Sequence, residues 1–233
     1  MRTILSFIFL FITTFSSAES SELKAFSMQV FAQTFKPVKA KAKGSISLNK
    51  CPSAEDKLLN LWCYRVDTKI KIAEVHQLAK FQDHGQLIQS WYNQQNDRIF
   101  WKKTHKSATF DHINQIISTT YNKTTKQQSY SGEVYDDTSY VLQVRKLLLS
   151  GQTQFKLNLV FDHKIKSVSF NVIGKETLFT KAGILESIKV EQTRRNEKVI
   201  IWFAKRWDYL PVQFETYKSN KLRSRVTATS VNF

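Results

Sequence analysis

The chain has 233 residues, 42% of them hydrophobic and 23% charged, with a formal net charge of +16. Its length suits one β-rich domain, and only three prolines and six glycines exclude a long flexible hinge. The excess of cations points to anionic partners: lipid headgroups, lipopolysaccharide or acidic polymers.

The first residues read MRTILSFIFLFITTFSSAES. Arg2 precedes an apolar run from Ile4 to Phe15, and Ser16 and Ala18 then supply small residues before a cut. This layout predicts a secretory signal peptide over residues 1–18, with an uncleaved anchor as the alternative. The run is shorter than the roughly 20 residues that span a bilayer. No cysteine follows directly for lipid attachment, and no later stretch is apolar enough to cross. The expectation is a periplasmic protein that is not integral to the membrane, and export argues against nucleic acid as its partner. Removing residues 1–18 takes away Arg2 and no acid, so +16 becomes +15. The remaining lysines are scattered, with no run of five or six like charges. They either meet an anionic partner or simply keep the protein soluble.

Cys51 and Cys63 enclose CPSAEDKLLNLWC. In an oxidising compartment so close and isolated a pair is most simply a disulfide. Ser53 and Asp56 stand at N-cap and N3 spacing, which predicts a short helical turn between the cysteines. Neither C-x-x-C nor a second ligand pair is present, so no metal or other cofactor is expected.

Alternation with period two then dominates. Val66, Thr68, Ile70 and Ile72 share one face of a strand, and Phe155, Leu157, Leu159 and Phe161 share another. Val168, Phe170 and Val172 repeat the pattern. Turns are predicted at 162–164, 181–183, 195–196 and 219–220, giving strand, short turn, strand: an antiparallel meander rather than βαβ units. DDTSYVLQVRKLLLSG breaks the pattern with Val141, Val144, Leu147 and Leu148 at helical spacing. It predicts a helix over about 138–149, with Asp137 as its cap and Gly151 in the left-handed position after it. Glu133, Asp136 and Asp137 could pass for paired catalytic carboxylates, but helix entry explains the aspartates more simply. The predicted class is therefore all-β with one or two short helices. Residues 19–233 are read as one domain: a single curved antiparallel sheet, barrel or half-barrel, with a helix covering the concave face.

Near the C-terminus, WFAKRWDYLPVQF splits into two strands and a corner. Val199, Ile201 and Phe203 fall on one face, and Ile200 and Trp202 on the other, so the strand should be covered on both sides. Lys205 to Asp208 forms the connection. Pro211, which lacks an N–H, is tolerated where the returning strand begins.

From DDTSYVLQVRKLLLSG through Gly174-Lys175-Glu176, the Thr180 to Gly183 turn and Ile188 to Glu191, the chain resembles an exported bacterial family. That family, numbered 3108 among domains of unknown function, also matches Trp202-Phe203-Ala204 and Tyr209-Leu210-Pro211-Val212. The resemblance covers about 135–217 and is loose in the N-terminal half. It implies a periplasmic, all-β, barrel-like protein, more distantly similar to the half-barrels of the carriers LolA and LolB, which hold acyl chains. It implies no reaction and no catalytic residues.

The residues themselves agree on that last point. There is no G-x-S-x-G elbow, no H-E-x-x-H and no P-loop, so no enzyme is expected. Five histidines are scattered without a common face. Trp91, Trp101, Trp202, Arg206, Trp207 and Tyr209 are the candidate ligand-binding residues. They could line one apolar concavity with a basic mouth, as an amphiphile would require, or the rings could fill the core. The primary expectation is a carrier or binding module for a lipid-like ligand. The alternative is an envelope scaffold or assembly factor that meets anionic partners through its basic surface.

Overall fold

The computed structural model describes residues 22–35, 39–70, 73–99, 101–194 and 197–233. The signal peptide expected over 1–18 lies outside them, as do Ile72 and the turn at 195–196. Among the described residues fifteen strands form one sheet. The first eight are β1 (Phe26–Thr34), β2 (Ala40–Lys50), β3 (Trp62–Ile70), β4 (Ala73–His84), β5 (Leu87–Ile99), β6 (Lys102–Asp111), β7 (Ile116–Tyr121) and β8 (Thr124–Ser129), each paired to the next. The second half runs β9 (Val134–Tyr135), β10 (Gln154–Phe161), β11 (Lys164–Thr180), β12 (Gly183–Arg194), β13 (Glu197–Ala204), β14 (Leu210–Lys218) and β15 (Lys221–Asn232). β15 pairs with β1 and joins the halves, while β9, parallel to β10, ends the far edge. The expected meander is the observed one, short turns at 162–163, 181–182 and 219–220 included.

A sheet this long must curl, because strand twist accumulates and its apolar face needs cover. It curls around helix α2 (Tyr140–Leu149), two residues shorter at its start than the 138–149 read from the sequence. Leu48, Phe81 and Ile88 from the first half share one core with Phe170, Val190 and Ile201 from the second, and Leu142 and Val144 of α2 lie among them. Among the described residues no backbone ladder joins the edge strands β8 and β9; the two ends of the sheet overlap. Leu159 points into the main core, whereas its neighbour Val160 joins Ala108, Phe110, Ile117 and Val134 in a second cluster on the other face. Lys106 Nζ to Asp162 Oδ1 at 2.9 Å and the Thr119–His163 hydrogen bond at 2.8 Å fasten this seam. The result is an open, rolled sheet whose edges are closed by side chains.

Helix α2 differs from expectation in two ways. Its entry is organised by Asp136, not Asp137: Asp136 Oδ1 accepts from Thr138 N and Ser139 N at 2.8 and 2.7 Å. The same carboxylate accepts from Ser90 Oγ and Asn93 Nδ2 on β5, so the cap also docks the helix to the sheet. Second, the polar side of the helix is buried too. Gln143 Oε1 accepts from Ile88 N, Lys146 pairs with Asp83 at 2.8 Å, and Arg145 Nε donates to Asp208 O at 2.6 Å. Gly151 takes the left-handed conformation at φ 81° and ends the helix as expected.

The cysteines are joined, and between them Ser53 caps the short helix α1 (Ala54–Leu58) by accepting from Asp56 N. Cys51, Leu61 and Cys63 pack against Leu78 and Trp91 in a third cluster.

Candidate functional site

The six candidate aromatic and basic residues do not share a concavity. Trp91 sits half-buried in the disulfide cluster, its ring 5.3 Å from that of His112. It is the unpaired residue of a bulge: Tyr92 faces Lys80 and Ser90 faces Phe81, so Trp91 is displaced from the regular ladder. Trp202 is buried in the main core, its Nε1 donating to Glu176 at 2.9 Å and its face covered by Lys189. Arg206, Trp207 and Tyr209 lie on the corner after β13, which is a 3-10 turn over Lys205–Trp207 followed by Asp208 and Tyr209, both at positive φ. Arg206 stacks on the Trp207 ring and is exposed, while Trp207 and Tyr209 pack partly against the main core. Trp101 stands apart from all of them, 90% exposed at the far end of the β5–β6 hairpin.

What the fold does bring together is charge. In an antiparallel meander, successive connections alternate between the two ends of the sheet. Seven connections lie at one end: β1–β2, β3–β4, β5–β6, β7–β8, β10–β11, β12–β13 and β14–β15. Taking each with two flanking strand residues on either side, the described residues there include twelve lysines and arginines against three acids. The five connections at the opposite end, counted identically, carry five of each. Nearly all the net charge of these loops therefore sits on one rim.

Asp137, where the chain leaves β9, adds an acid to this rim, and the three acids of the hairpin turns each have a cation beside them. Glu74 binds Lys69 at 2.7 Å and Arg98 at 3.1 Å, and these hydrogen bonds hold its carboxyl down at about 2. Asp162 binds Lys106. Burial would lower that ammonium's pKa, but the bond to Asp162 outweighs it and raises the pKa overall. Glu197 lies 3.7 Å from Lys218. Of the other rim cations, Lys198 lies 3.5 Å from Glu191 on β12.

Within this rim is a cleft of about 950 Å³. Lys106, Lys164, Lys166 and Lys218 line it with Asp137, Asp162 and Glu197, and Phe161 and Val168 add apolar surface. Its lining offers four ammonium groups and three carboxylates around a space that would admit a small anion. Among the described residues no three His, Cys, Asp or Glu side chains gather as a metal site would require. No helix among them is long and apolar enough to cross a membrane.

The rim escaped the sequence reading because each hairpin contributes only one to three cations. Its signal was present all the same: summing charge over alternate turns, rather than over consecutive residues, separates the two ends.

A rolled antiparallel sheet wrapped on a helix defines a β-barrel-like protein. The chain belongs to the family described as a protein of unknown function, DUF3108, whose model matches residues 62–220. The match reaches well into the first half of the sheet, beyond the segment whose motifs suggested it. Among solved structures, the chain is similar to a β-barrel-like protein of domain of unknown function DUF1849 from Brucella abortus. The identity is 7% and the TM-score 0.56, over 89% of this chain and 97% of that one, which is a likeness of fold alone. An exported-protein candidate with a YmcC-like fold from Bacteroides fragilis aligns at 9% identity over 91% of this chain and 97% of its own, with a TM-score of 0.32. No curated protein matches the chain.

Proposed function

We propose that this protein is a non-catalytic binding module of the cell envelope that engages an anionic partner through its basic rim. The observation that carries the reading is the partition of charge over the hairpin connections: twelve cations to three acids at one end, where Asp137 after β9 adds a fourth acid, and five to five at the other. A surface that only needed solubility would gain nothing from such segregation, whereas a steering field requires it. The Cys51–Cys63 disulfide supports an oxidising, exported location.

A carrier of acyl chains is the second reading. The rim cleft favours it, since lysines beside Phe161 and Val168 suit a headgroup and its first methylenes. Against it, helix α2 occupies the concave side where longer chains would have to lie, and its Leu142 and Val144 are fully buried.

Polyphosphate serves as a probe. Reversing Lys102, Lys103 and Lys221 to Glu should weaken binding by at least about tenfold at low salt, and raising the salt should abolish the difference. Reversing Lys57, Lys181 and Lys205 at the opposite end should change binding much less. Equal losses from the two triple variants would refute the rim.

A further inference from the structure

We propose that the rim's partner is the surface of an anionic lipid bilayer, with the β5–β6 hairpin as its interfacial anchor. This deepens the basic-rim reading and rests on it. At the end of that hairpin Trp101 is 90% exposed and Ile99 is 54% exposed. Arg98 precedes them and Lys102 and Lys103 follow, so cations flank the apolar tip on both sides.

An exposed indole gains little from a soluble polyanion. In the headgroup region of a bilayer its ring is removed from bulk water while its N–H still finds acceptors, which is why tryptophan concentrates there. The adjacent ammonium groups would sit at the depth of the lipid phosphates, where each basic residue near the surface adds to the attraction. The remaining cations are not all drawn to one point, although Lys164 and Lys218 share the cleft. They come from the other six connections of the rim and so present a broad face, the shape that matches an extended charged plane rather than one small anion.

The opposite end supplies an internal comparison. Ile113 and Phe179 are 94% and 82% exposed there, yet the connections of that end, taken together, carry as many acids as cations. Exposed apolar groups alone therefore do not distinguish the ends. The combination of tryptophan with net positive charge does. With no helix among the described residues able to cross a membrane, attachment would be peripheral and salt-sensitive.

The test is co-sedimentation of the full exported chain, disulfide intact, with phosphatidylcholine vesicles made with and without phosphatidylglycerol. Binding is expected only to the anionic vesicles and should fall as salt rises. Trp101→Ala, and separately Lys102→Glu with Lys103→Glu, should each lower the partition coefficient by about tenfold or more. Phe179→Ala should leave it unchanged. Trp101→Ala should also bind polyphosphate as the parent does, which shows that the variant is folded and its rim intact. If the parent binds polyphosphate but not the anionic vesicles, or if Trp101→Ala binds vesicles undiminished, the lipid assignment is overturned and the rim reading stands. If the parent binds neither, both fall.

Discussion

Single residues in this protein are decided by which way a side chain faces, and two adjacent aspartates show it. Asp136 and Asp137 are equivalent in the sequence, but Asp136 turns inward to accept from the helix entry and from β5, leaving Asp137 on the rim cleft. No local rule separates them, because the choice depends on where Ser90 and Asn93 arrive from forty or more residues away. Asp56 was easier to place, since the N3 position of a capped turn is a local matter. It also carries a pH signature. Burial would raise its carboxyl, but hydrogen bonds from Lys80 and Ser53 outweigh that and hold it below the usual carboxylate range. A depressed folded value means stabilisation that is present above the unfolded pKa and lost as pH falls through the folded one. Asp56→Asn should therefore cost about 1–2 kcal/mol at neutral pH, and the deficit should shrink below about pH 4. Denaturant titrations of both proteins across that range would check this; a deficit that ignored pH would assign it to packing instead.

At the scale of elements, strands were legible because half-burial writes itself as alternation, and Val168, Phe170 and their counterparts fall where that pattern puts them. Bulges were not. The one between Lys80 and Phe81 sets Trp91 outside the regular register, and another between Trp202 and Phe203 lets Pro211 sit opposite Phe203. A bulge adds one residue to one strand, and nothing in period-two counting reveals it. The opening of the second half hid something else. Helix α2 reads as amphipathic, yet Arg145 and Lys146 are as buried as its leucines because turns from both halves of the sheet close over them. Lys146 in particular fastens the helix to the β4–β5 turn through Asp83, with side chains only 1% and 10% exposed. Lys146→Ala should cost about 3–5 kcal/mol by stranding that carboxylate, while Lys146→Met combined with Asp83→Asn should recover much of the loss. Calorimetry of both variants beside the parent checks this; a double variant as destabilised as Lys146→Ala would show that the pair does not act as a unit.

For the whole molecule, the sequence shows charge as a sum and the fold shows it as a polarity. Scattered lysines look like a solubilising surface until alternate turns are assigned to opposite ends, and then one rim holds almost all of the loops' excess. The corner at WFAKRWDYLPVQF, the most conspicuous run in the chain, belongs to the balanced end. There Asp208 holds Arg145 of the buried helix, so the corner's main work is to lock the roll of the sheet. The central claim, that one end of the sheet is the binding face, has a direct measurement. Lysine-selective chemical labelling, read by mass spectrometry with and without polyphosphate, reports each ammonium group separately. Lys102, Lys103, Lys123 and Lys221 should be protected on binding, while Lys57, Lys181 and Lys205 stay as reactive as before. Protection spread evenly over both sets, or centred on the second, would contradict the account.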